Sequence, residues 1–107
     1  MSKETNDPQS LLPLPPVTFQ ILAALAEGER HGYALMQSIG VQAGTLYRSI
    51  QRMLEQGLVA ESRAEDLERR RFYKITAFGR AVAQAEAKRL AQMVKLARAA
   101  GFVPGGA

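Results

Sequence analysis

AGTLYRSIQRM, residues Ala43 to Met53, decides how this chain is read. Leu46, Ile50, Met53 and Leu54 recur at i, i+4, i+7 and i+8, the spacing of one apolar helix face, which predicts a helix from about Ala43 to Gln56. The other side carries Thr45, Tyr47, Arg48, Gln51 and Arg52. A helix that only shields a core shows water a mix of Glu, Lys and Ala. Thr, Tyr, Gln and two Arg together suit a surface made for nucleic acid. Arg matches guanine, Gln matches adenine, Thr serves base or phosphate, and Tyr donates to phosphate while packing on sugar. The first turn, Ala43 to Thr45, adds backbone N–H donors and a partial positive charge. The competing reading is a merely solvated face. Tyr47 weighs against it, because an aromatic held in water brings no core benefit.

Upstream, Tyr33, Leu35, Met36 and Ile39 mark a short helix from about His31 to Ile39, ended by Gly40, a residue type that turns left-handed freely. Two helices joined by a tight turn form a helix-turn-helix, whose second helix fits the major groove. Before it, Phe19, Ile21, Leu22, Leu25 and Ala26 give the stripe of a first helix, closed by EGERHG. LPLPP (residues 12–16) could be a polyproline ligand, yet Pro15 and Pro16 also suit the opening of that helix, where a missing N–H does no harm. Residues 1–14, a mix of Ser, Asn, Asp, Gln and Pro, are expected to be a disordered arm.

Downstream of Gly57 the period changes to two. LVAESR (58–63) and RRFYKIT (70–76) read as strands joined by the turn AEDLE (64–68). The helical signal then returns from Thr76, a candidate N-cap, to about Ala100. Three helices, a hairpin and a long helix make a mainly α fold with a small β-hairpin: a winged helix-turn-helix over residues 15–76, a C-terminal helix over 77–100, and a flexible tail over 101–107.

The hairpin is basic. Arg69, Arg70, Arg71 and Lys74 lie on or beside its second strand, while Glu65, Asp66 and Glu68 sit in the turn. Cationic wings lie along phosphates or reach into a minor groove; the same charges could also protect a strand edge from aggregation. By alternation Arg71, Tyr73 and Ile75 share one face and Arg70, Phe72 and Lys74 the other. Ile75 points the first face inward with the Arg71 stem packed, which makes Arg70 and Lys74 the better phosphate ligands. In the last helix Ala83, Ala87, Leu90, Val94 and Ala97 recur at four- and three-residue steps, a narrow heptad seam expected to pair with a second copy. Phe78, Val82 and Ala85 are left to pack on the winged domain.

Composition narrows the alternatives. The 107 residues fit one domain, the net charge is +4, and there is one His and no Cys. Disulfides, thiolate metal sites and a zinc centre are out of reach, and neither a catalytic set nor a cofactor is expected. No apolar run approaches the roughly 20 residues of a membrane span, and MSKETNDPQS does not read as a signal peptide, so the expected location is the cytoplasm.

ILAALAEGERHGYALMQSI, GTLYRSIQRMLEQGLV and ERRRFYKITAFGRAV together resemble the PadR family of bacterial transcriptional regulators, over roughly Phe19 to Arg98. The resemblance implies a winged-helix repressor that dimerises through its C-terminal helix and binds inverted-repeat operator DNA, with a small-molecule effector releasing many members. By position it implies that Thr45, Tyr47 and Arg48 approach DNA and that Arg69, Arg70 and Arg71 form the wing. It makes His31, Gly32 and Tyr33 mainly structural, with Tyr33 near the DNA backbone. Two features depart from the family pattern: the SIGVQ link and AEDLE turn are short, and Ala43 stands where Ser or Pro often precedes the third helix. The alternative class is a winged helix that binds protein and never touches DNA.

Overall fold

The computed structural model describes residues 7–62 and 70–104. Four α-helices and three short strands follow one another as α1 (Pro16–Leu25), β1 (Arg30–His31), α2 (Gly32–Ile39), α3 (Ala43–Glu55), β2 (Val59–Ser62), β3 (Phe72–Ile75) and α4 (Ala77–Ala99). The strands form one antiparallel sheet in the order β1-β3-β2. This is a winged helix-turn-helix with a long C-terminal helix.

The core is the sum of the apolar faces read above. Ile21, Leu22 and Leu25 of α1, Leu35 of α2, and Leu46, Ile50 and Met53 of α3 meet Leu58, Val59, Tyr73 and Val82. Gly40 takes a left-handed conformation at φ 82° and ends α2, and Gly57 does the same at φ 77° after α3. Both corners fall where the helical pattern stopped, so the turn into α3 and the exit from it are local products of sequence.

β1 is an element that the sequence does not announce. EGERHG reads as a helix terminus, yet Arg30 pairs with Tyr73 and His31 with Phe72. Two residues carry no periodicity, and the pairing exists only because β3 is brought alongside. His31 then has two tasks. Its Nδ1 accepts the Ala34 N–H at 3.2 Å as the N-cap of α2, and its ring meets Phe72 edge-on with centroids 5.3 Å apart.

Residues 7–14, expected to belong to a disordered arm, are folded. Pro8–Leu11 form a 3₁₀ turn capped by Asp7, Leu14 is buried in the core, and the segment lies on α4. Apolar Leu11, Leu12 and Leu14 supply the burial that the polar residues around them conceal. Glu86 of α4, buried, fastens the contact by accepting a hydrogen bond from the Leu14 backbone. Arg89 grips the same carboxylate with Nε at 2.7 Å and Nη2 at 3.0 Å, and this pairing holds Glu86 below the usual glutamate range against the opposing effect of burial.

Thr76 caps α4 as expected, accepting the Gly79 N–H at 2.8 Å, and its hydroxyl donates to the Gly57 carbonyl at 2.6 Å. One side chain thus ties the start of α4 to the end of α3. Gly79 sits hard on the same place: a Cβ there would overlap the Leu58 carbonyl oxygen and come within 3.2 Å of Ile75 Cγ1. Gly79, Val82, Ala83 and Glu86 then face the domain at helical spacing, and beyond Leu90 α4 runs out almost bare.

Candidate nucleic-acid interface

The polar residues of α3 do not form one surface. Thr45, Arg48, Ser49 and Arg52 line a shallow groove of about 210 Å³ against Pro15 and Thr18, at the start of α1. Tyr47 turns the other way. It lines a cleft of about 270 Å³ with His31, Gly32, Tyr33, Arg70, Arg71 and Tyr73, between α2, α3 and the wing. Gln51 belongs to neither wall. It lies on the outward line between them with Gly44 and Glu55, residues spaced i, i+7 and i+11 and all exposed.

Packing explains why Tyr47 turns as it does. A Cβ on Gly32 would overlap the Tyr47 hydroxyl, so a bare first turn of α2 is what lets the ring lie down. Tyr47 remains 47% exposed, but its ring has a packing partner, contrary to the expectation that it stands alone in water. The Tyr33 hydroxyl accepts from Gln37 Nε2 at 3.3 Å, which leaves its own proton to donate outward. Tyr73 is buried behind them, and loss of hydration pushes its phenol above the ordinary tyrosine range, with nearby Glu61 adding to the rise.

On β3 the inward placement of Tyr73 and Ile75 holds, while the Arg71 stem is not packed. Its side chain is 74% exposed and meets Glu61 at 3.5 Å, an exposed pair worth little. Arg71 lines the cleft beside α3 with Arg70; Lys74, preferred earlier, is exposed on the opposite face of the strand and is not among the cleft residues. Arg69 and the AEDLE turn lie outside the described residues.

α3 begins at Gln42 with no side-chain cap, so its first N–H groups are left to other acceptors. Glu55, which the sequence reading passed over, accepts a long hydrogen bond from Gln51 Nε2 at 3.5 Å. A carboxylate on this line suits the amino group of cytosine, as Gln51 suits adenine. Helical spacing alone places it there, seven residues after Arg48 and four after Gln51.

The seam residues of α4 divide. Ala83 packs on the domain's own core and Ala87 is exposed beside an apolar groove with α1. Leu90 and Ala97 are half-buried, whereas Met93, Val94, Leu96 (62% exposed) and Phe102 (82% exposed) are each exposed to solvent. No helix among the described residues is long and apolar enough to cross a membrane, and no group of three or more His, Cys, Asp or Glu among them could hold a metal.

A model of the transcriptional regulator PadR-like family matches residues 21–85. No curated protein matches the chain by sequence. Among solved structures, a transcriptional regulator from Clostridium thermocellum is 24% identical, with 82% of this chain covering 90% of that one at a TM-score of 0.71. A PadR family transcription regulator from Clostridium difficile is 18% identical over 78% of this chain and 96% of its own, with a TM-score of 0.71. The transcriptional regulator BldR from Sulfolobus solfataricus is 24% identical over 97% of this chain and 74% of its own, with a TM-score of 0.74. At these identities the likeness is one of fold.

Proposed function

Because the chain belongs to the PadR-like family and is a transcriptional regulator rather than an enzyme, we propose that it binds operator DNA as a homodimeric repressor, with α3 in the major groove. One observation carries this reading: α3 is flanked by two walls that each present cations and hydroxyls, Thr45, Arg48, Ser49 and Arg52 on one side and Tyr33, Tyr47, Arg70 and Arg71 on the other. A helix seated in the groove has a phosphate strand on either side of it, and two such walls match that arrangement. The bare half of α4, with Met93, Val94 and Leu96 exposed, supports pairing with a second copy. The apolar groove of about 220 Å³ between α1 and α4, with Arg80 among its lining residues, is where a small effector would be felt by both the winged domain and the dimerisation helix.

Binding to a random-sequence duplex should weaken steeply with salt, log K falling by roughly 0.9 for each phosphate contact when titrated against log salt. Absent or salt-independent affinity would instead mark a module that binds protein. Arg48→Ala is expected to lose about 1–3 kcal/mol on a selected operator and much less on random duplex, measured side by side by anisotropy. An equal loss on both would place Arg48 on phosphate alone.

A further inference from the structure

Among the described residues, every glycine but one has a structural reason. Gly28, Gly40, Gly57 and Gly101 have positive φ, and Gly32 and Gly79 have no room for a Cβ. Gly44 has neither reason. It is helical and exposed, and a Cβ there would meet only Arg48 Nη1, at an ordinary 3.5 Å. Within the first turn of a helix any other small residue would hold the backbone better, since glycine gives up the most chain entropy on folding. The fold therefore gains nothing from the missing side chain.

Its position suggests what does. Gly44 stands on the outward line of α3 with Gln51 and Glu55, between the Thr45–Arg48–Arg52 wall and the Tyr47 wall. We propose that Gly44 is the point of closest approach between the α3 backbone and DNA, so that its bare Cα sets how deeply the helix seats in the major groove. The proposal rests on the DNA-binding reading above. A methyl group projecting from this line would hold the helix off by about 1 Å or more, enough to stretch hydrogen bonds whose useful range is about 2.7–3.2 Å. The loss would then be shared by Gln51, Arg48 and both walls.

The test separates stability from affinity. Gly44→Ala and Gly44→Leu are compared with wild type on a 30-base-pair duplex enriched by the wild-type protein from a randomised pool. Gly44→Ala is expected to raise the melting temperature by about 2–6 °C. On the enriched duplex, affinity is expected to fall about tenfold for Ala and about a hundredfold for Leu. Repeating Gly44→Ala in an Arg48→Ala background checks the neighbouring guanidinium: the loss should persist, and a loss that vanishes there overturns close approach in favour of a displaced arginine. Variants that bind within about twofold of wild type overturn the proposal while leaving DNA binding intact. A wild-type protein that enriches no duplex overturns the DNA-binding reading itself.

Discussion

Met93→Glu combined with Val94→Glu is expected to yield a folded monomer whose affinity for a palindromic operator is lower by on the order of a hundredfold. Both side chains are exposed on the bare half of α4, so the domain loses no core contact when they become charged. Across a two-fold interface four apolar side chains, two from each copy, would be replaced by four carboxylates. The fall in affinity follows from chelation. In a dimer the second half-site is bound at high local concentration, whereas a monomer meets each half-site independently. Sedimentation at micromolar protein, with the helical circular-dichroism signal retained, reads the first effect, and titration of single against paired half-sites reads the second. A variant that still sediments as a dimer would move the interface elsewhere on the chain.

Gly79→Ala is the second large effect expected, a loss of roughly 3 kcal/mol in urea unfolding. Alanine is the better helix former, so propensity alone predicts a gain. The packing reverses the sign, because the added Cβ would overlap the Leu58 carbonyl oxygen and crowd Ile75 Cγ1 at 3.2 Å. Backbone does not yield as a flexible side chain does. The substitution would also pull Gly79 N–H from the Thr76 hydroxyl, 2.8 Å away, and so loosen the joint between α4 and the end of α3. A loss under about 0.5 kcal/mol would show that the first turn of α4 shifts freely, and that the angle between the winged domain and α4 is not set here.

How legible this was depended on whether the information was local. The apolar positions Leu46, Ile50 and Met53 lie in one helix at one spacing, and their burial followed. Gly40, Gly57 and Thr76 act within a turn of where they stand, and each turned or capped the chain where its residue type suggested. Arg71 departs from the expectation because strand alternation says which residues share a face but not how far the inward packing extends; its side chain sits exposed, paired with Glu61 and donating to the Tyr73 hydroxyl. The N-terminal segment was misread for the opposite reason. Its few apolar residues found a surface, the flank of α4 near Glu86, that only the folded chain offers.

By itself, then, the sequence determined the order of the four helices and of β2 and β3, the corners at Gly40 and Gly57 and the chemical character of α3, because those rest on side-chain periodicity and on backbone preferences a few residues wide. Only the tertiary structure decided that β1 exists, that Gly32 makes room for Tyr47, and that the polar face of α3 is two walls with Gly44 and Gln51 between them. Each of those depends on contacts between residues distant in the chain. Such contacts are fixed by which surfaces meet, and no single segment carries a record of its partner.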